Sequence, residues 1–209
     1  MFPAHGSRRH RMAAFVQTFA PSDSTRILDV GGTETNWGLV GYSGDVTLLN
    51  LTVPEATSEL PPTIRYVQGD GTRLPYEDNS FDIAFSNSVI EHLHSRERQL
   101  QFARELSRVA PRLWVQTPAR WFPIEPHFMA PFIHYVPSRF RRRLVRRFTP
   151  YGLIVRPTQQ VVDQLLEEYR LMTYGEVAAA FPDCEVRRER FLGLTKAFVA
   201  VRGSQGHSN

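Results

Sequence analysis

Apolar residues recur along this chain at two spacings, and the places where one gives way to the other mark out its elements. Over residues 11–20, Met12, Phe15, Val16 and Phe19 share one helical face, and Pro21 ends the helix. The short run Arg26-Ile-Leu-Asp-Val30 stops at Gly31-Gly32 and predicts a buried strand, with a helix starting near Glu34. Further strands are predicted over 45–50, 63–68 and 81–86, then a helix over 95–109 and a strand over 112–116 that Thr117-Pro118 ends. Strands separated by helix-length segments predict an α/β fold with a mostly parallel sheet and helices on both faces.

The alternation then breaks. Residues 118–158 are rich in proline and aromatic side chains and predict an aromatic and basic lid inserted after the fifth strand. Helices follow near 159–170 and 173–180. Two alternating segments, 184–191 and 194–202, turn around Gly193 and predict an antiparallel hairpin that brings the sheet to seven strands. The expected organisation is a single domain over 11–202, containing the 118–158 insertion, with a flexible polar tail over 203–209.

Composition narrows the class. With 42% hydrophobic and 11% aromatic residues among 209, the chain holds enough apolar surface for a core and is not a disordered protein. No apolar run approaches the ~18 residues needed to span a bilayer. Cys184 is the single cysteine, which excludes a disulfide framework and a cysteine-based zinc site. The first residues carry charge without an apolar stretch, so no secretory signal is predicted and a cytoplasmic location is expected. The net charge of +4 is uneven: Arg139, Arg141, Arg142, Arg143, Arg146 and Arg147 fall within nine residues that contain no acid.

In open α/β sheets, ligands sit beyond the carboxyl ends of the strands. The first predicted strand leads into Asp29-Val-Gly31-Gly32-Thr33-Glu34-Thr35, where glycines let backbone approach a ligand. The second ends at Asn50, the third at Gly69-Asp70-Gly71-Thr72, and the fourth at Ser86-Asn87-Ser88-Val-Ile-Glu91-His92. Each has an ordinary reading as well: Asp29 and Asp70 as turn carboxylates, Asn50 as a strand cap. Their recurrence at successive strand ends favours a nucleoside cofactor. A nicotinamide site is disfavoured, since residues 31–36 lack the third glycine and position 50 is not acidic.

The strings Ile27-Leu-Asp-Val-Gly-Gly32, Gly69-Asp-Gly-Thr-Arg-Leu-Pro75 and Asn79-Ser-Phe-Asp-Ile-Ala-Phe-Ser-Asn-Ser-Val-Ile-Glu-His-Leu93 together resemble the class I S-adenosylmethionine-dependent methyltransferases, in their small-molecule branch. The resemblance covers about residues 25–118 and implies a Rossmann-like fold with S-adenosyl-L-methionine as cofactor. It implies that Asp29 anchors the loop and reaches the methionine amine, and that Gly31, Gly32 and Thr33 lie along the methionine. It places Asn50 at the ribose, Asp70 at the adenine amino group, Gly71 or Thr72 against the ring, and Asn87 near the sulfonium. Thr33 and Thr35 stand where that family carries glycines, and Asn50 stands where it carries an acid.

On the acceptor side, His92 follows the fourth strand and titrates in the range a general base needs. Trp121-Phe-Pro-Ile-Glu125-Pro-His127 follows the fifth and adds a carboxyl and a second imidazole. Similar segments in bacterial methyltransferases imply a shared acceptor lid. His92 and His127, ranked together, and Glu125 below both are the candidate catalytic residues, with His92 packed against the sheet as its alternative reading. No third ligand accompanies Glu125 and His127, so no metal is predicted. The arginine segment reads as an amphipathic basic helix, either solvated or touching an anionic membrane or a phosphate group, with nucleic acid disfavoured. The expected activity is methyl transfer to a small-molecule, glycan or lipid-linked acceptor, at oxygen. The alternatives are a non-catalytic nucleoside-binding protein on a degenerate version of the fold, and an RNA methyltransferase.

Overall fold

The structure, a computed structural model, describes residues 4–54, 61–125, 130–131 and 169–203, with positions 153, 158, 160 and 161. Its centre is a seven-stranded sheet in the order β3-β2-β1-β4-β5-β9-β8. The strands are β1 (Ile27–Val30), β2 (Val46–Asn50), β3 (Ile64–Gln68), β4 (Ile83–Asn87), β5 (Arg112–Pro118), β8 (Glu185–Phe191) and β9 (Leu194–Arg202). The first five are parallel, and β9 pairs antiparallel with both β5 and β8. A separate two-residue ladder joins β6 (Ile124–Glu125) to β7 (Ala130–Pro131). The predicted mixed sheet is therefore present, with boundaries shifted by one to two residues.

Four helices lie among the described residues: α1 (Ala4–Phe19), α2 (Glu34–Gly38), α3 (Arg96–Val109) and α4 (Tyr174–Ala180). On one face α3 lays Phe102, Leu106 and Val109 over Leu28, Val30, Leu113 and Val115, and α4 adds Val177. On the other, Met12, Phe15 and Phe19 of α1 and Trp37 of α2 cover Ile27, Leu48, Phe85 and Trp114. Phe15 is the hub of that face, with the Phe85 and Trp114 rings edge-on at 5.0 and 5.9 Å. Both faces are covered, which explains why β1, β2 and β4 are buried at nearly every position.

Local chemistry sets the ends. Ser95 accepts from the Arg98 N–H to start α3, and Thr173 with Glu176 forms a reciprocal capping box on α4. α1 starts earlier than its apolar stripe predicts, at Ala4, and ends at Phe19 as expected. Of the helix predicted at 159–170, Gln160 and Val161 are described and helical. The arginine segment 139–147 lies outside the described residues, as does most of the predicted lid. Strand order reverses at β1, whose neighbours are β2 and β4. The carboxyl ends of those strands form the crevice where the sequence places its chemistry.

Candidate functional site

The floor of the crevice is a carboxylate. Asp29, in the third position of β1, is fully buried, and the Trp37 Nε1–H donates to its Oδ2 at 2.9 Å. Its Oδ1 has no hydrogen-bond partner among the described residues. Removal from water pushes its pKa up to about 7, against the opposing pull of the Trp37 bond. The carboxylate lies directly beneath the loop: a Cβ at Gly32 would come within 1.8 Å of Oδ2, so position 32 admits only glycine. Gly31 adopts φ +78° and lies against Val89 of the β4 loop.

Asn50, at the end of β2, donates from Nδ2 to the Gly32 carbonyl at 3.0 Å. This accounts for an amide where an acid is common, since a carboxylate would face that carbonyl with no proton to share. Beside it, the Tyr66 hydroxyl of β3 donates to the Glu34 carboxylate in the first turn of α2. Burial, followed by that neighbouring carboxylate, pushes the phenol up to about 12.

After β3, Asp70 turns back on its own loop. Its Oδ1 accepts from the Thr72 N–H and hydroxyl, both at 2.8 Å, and Arg98 Nη2 donates to Oδ2 at 3.1 Å. Burial works to raise this carboxyl, but the Thr72 bonds and Arg98 prevail and hold it below the usual carboxylate range. Gly71 has a packing reason to be glycine: a Cβ there would lie 2.6 Å from the Phe102 ring and 2.8 Å from Val30. Gly71→Ala is expected to destabilise the fold by about 1–3 kcal/mol through overpacking, read as a lowered unfolding midpoint in urea. An unchanged midpoint would free Gly71 for a role in ligand contact alone.

Four adjacent strand ends thus surround a loop of bare backbone over an uncompensated acid. The chain matches the family model described as a methyltransferase domain over residues 38–112, about a third of its length. Among solved structures it is similar to YcgJ from Bacillus subtilis, at 18% identity and TM-score 0.57, over 87% of this chain and 70% of that one. It is similar to a SAM-dependent methyltransferase from Methanosarcina mazei, at 12% identity and TM-score 0.53, over 90% and 94% of the two chains. A SAM-dependent methyltransferase from Aquifex aeolicus matches at 15% identity and TM-score 0.50, over 93% and 97%. Residues 38–112 thus match a methyltransferase domain, and the chain shares its fold with these S-adenosylmethionine-dependent methyltransferases. The match implies S-adenosylmethionine as cofactor, and the residues present suit it: a cationic ligand would find the unpartnered Asp29 oxygen beneath the Gly31-Gly32 turn.

At the carboxyl ends of β4 and β5, a polar network that the sequence did not announce ties α1 to the sheet. Arg11 Nη1 donates to Asn87 Oδ1 at 2.9 Å and to Gln116 Oε1 at 3.3 Å. The Ser88 hydroxyl also donates to Gln116 Oε1, and Arg11 Nε pairs with Glu189 of β8 at 3.2 Å. Asn87 therefore has its carboxamide oxygen held by a guanidinium. Arg11 lies 76 residues from Asn87, and no spacing rule connects them.

His92 ends a 3₁₀ turn (Ile90–His92) beyond β4, exposed, with the Tyr169 ring edge-on at 4.6 Å. It is not packed against the sheet. The turn is braced by Gln99, fully buried in α3, whose Nε2 donates to the Ile90 and Arg170 carbonyls at 3.0 and 2.8 Å. The Arg170 guanidinium bridges Gln99 Oε1 and the Glu176 carboxylate, and the Arg170 N–H donates to the Glu91 carbonyl. Glu125 takes its place in the backbone of β6, and His127 lies outside the described residues.

Proposed function

We propose that the protein transfers a methyl group from S-adenosylmethionine to a hydroxyl of a small, glycan-like or lipid-linked acceptor, in the cytoplasm. The observation that carries this reading is the buried Asp29 carboxylate, unpartnered at Oδ1 beneath a glycine loop at the reversal of strand order. S-adenosylmethionine, when bound, supplies a methyl carbon made electrophilic by its sulfonium. Asp29 provides negative charge toward the methionine amine, with Gly31, Gly32 and Thr33 lying along that part. Asn50, its Nδ2 engaged by Gly32, presents its carboxamide oxygen to a ribose hydroxyl. Asp70 takes the adenine amino group, and Gly71 and Thr72 border the ring. Asn87, held by Arg11, lies near the sulfonium.

Transfer is then largely a matter of alignment, and the acceptor hydroxyl needs a group to take its proton. His92 suits that task by its exposure at the tip of β4 and the ring that steadies it. His127 and Glu125 belong to the same reading, as acceptor-side residues after β5. Calorimetric titration with S-adenosylmethionine and with its demethylated product is expected to show saturable binding of both. Heat with neither removes the enzyme reading in favour of a degenerate fold. His92→Ala is expected to lower turnover at least about tenfold while cofactor affinity holds. Full turnover in both His92→Ala and His127→Ala would mean that the proton leaves by another route.

A further inference from the structure

The β8–β9 hairpin outruns the sheet it belongs to. β5 stays paired with β9 as far as Pro118 opposite Ala197, and the Ala119 N–H still reaches the Lys196 carbonyl. Beyond that point, among the described residues, β8 and β9 pair only with each other, through Arg190 opposite Thr195 and Phe191 opposite Leu194, past a register shift at Glu189/Arg190. Three residues at ~3.4 Å each carry this ribbon about 10 Å past the carboxyl end of β5. That is the same end of the sheet as the crevice.

Its tip is apolar and open to solvent. Leu192 is 87% exposed, and Phe191 and Leu194 are 47% and 50% exposed. Leu192 also has φ +49° and Gly193 φ +80°, a two-residue turn that suits Asn-Gly or Asp-Gly. A leucine is strained in that conformation, and at this exposure it gains little from burial within its own chain. Among the described residues neither the turn nor the core asks for it, which points to a partner outside the molecule. Phe122 meets Phe191 at 6.5 Å, which sets Trp121, 60% exposed, beside the tip.

The charged residues beyond the Glu189 ion pairs are basic. Residues 190–196 and 119–124 contain Arg120, Arg190 and Lys196 and no acid. The Arg120 guanidinium lies over the Trp121 ring at 5.5 Å, and at the base of the tip Glu189 pairs with Arg11 at 3.2 Å and with Lys196 at 4.0 Å, so Arg120 and Arg190 are the exposed charges beside the tip. A convex tip of leucine, phenylalanine and tryptophan above a basic collar matches the boundary between acyl chains and anionic headgroups. Among the described residues no helix is long and apolar enough to cross a membrane.

We infer that the tip of the β8–β9 hairpin, with Trp121, docks the protein on anionic lipid surfaces and turns the strand-end crevice toward the bilayer. Docking depends on the hairpin tip and the adjoining Arg120–Trp121 pair and holds whichever acceptor is methylated. The test is sedimentation of the full chain with phosphatidylcholine vesicles, with and without about one-third phosphatidylglycerol. The wild type is expected to sediment with the anionic vesicles and to shift its tryptophan emission to shorter wavelength. That shift reports Trp121, because Trp37 and Trp114 are already buried. Leu192→Asn is expected to weaken sedimentation about tenfold. The same variant is expected to raise the melting temperature by about 2–4 °C, since asparagine tolerates the turn. Arg120→Gln and Arg190→Gln are each expected to cost about fivefold on the anionic vesicles. A wild type that stays in solution with both vesicles would overturn the inference, as would a Leu192→Asn variant that binds like wild type. A dimer in the absence of vesicles that Leu192→Asn dissociates would assign the tip to a second copy instead.

Discussion

Asp29→Asn is expected to make the protein more stable above neutral pH and to strip it of most of its affinity for S-adenosylmethionine. The Asp29 carboxyl holds its proton up to about pH 7 in the fold, whereas in the unfolded chain it ionises near pH 3.9. Between those values the unfolded state binds fewer protons than the folded one. Stability therefore falls as pH rises from about 4 to about 7 and is level above, a loss of about 4 kcal/mol. Asparagine keeps the Trp37 bond through its oxygen and leaves an unpaired polar group where Oδ1 was, without the cost of an ion. The two proteins should melt together near pH 4, and the variant should lead by about 8–16 °C near pH 8. A wild-type melting temperature flat across that range would sink the argument. On the binding side, a cation that favours the ionised carboxyl should release up to one proton near pH 7. Repeating the titration in buffers of different ionisation enthalpy reads that release directly, and Asp29→Asn should abolish it while weakening affinity about tenfold or more.

Gln99→Leu is expected to be the most damaging conservative-sized change in α3. The glutamine is fully buried and serves two carbonyls and one guanidinium. Leucine fills the same space and removes all three bonds, leaving the Arg170 guanidinium with Glu176 and the Ile90 carbonyl with only the long Leu93 N–H contact, at about 3–5 kcal/mol. For a chain of this size that corresponds to a fall of roughly 6–20 °C in melting temperature. The turn bearing His92 and the Tyr169–Arg170 stretch lose their common brace, so acceptor-side defects should accompany the instability. A drop of less than about 1 kcal/mol would show that Arg170 and the Ile90 carbonyl find other partners.

Apolar periodicity was enough to read the sheet because β1, β2 and β4 are covered on both faces and stop at glycine or asparagine. The strand-end polar residues were legible for the same reason, since a strand's end fixes where its next residues point. What the sequence hid were interactions whose partners are far apart in the chain. Trp37 was visible as a helix residue, but its role as the donor to Asp29 depends on how α2 packs back on β1. Arg11 reaches Asn87 because α1 crosses the sheet, and Gln99 looks like any polar residue on a helix until it is found buried. Gly71 was assigned to the ligand, and the fold supplies a nearer reason in Phe102 and Val30. Asn50, read as a departure, is explained once the Gly32 carbonyl is seen in front of it.

The placing of β9 between β5 and β8 has a consequence for how the molecule is made. The last strand to leave the ribosome is not the one that ends up at the rim. Until residues 194–202 emerge, β5 presents a bare row of backbone donors and acceptors with no neighbour on that side, an invitation to foreign strands. The nascent chain therefore passes through its most aggregation-prone stage just before synthesis of the sheet is finished, and a stall or nick ahead of Leu194 should yield insoluble product rather than a smaller folded domain.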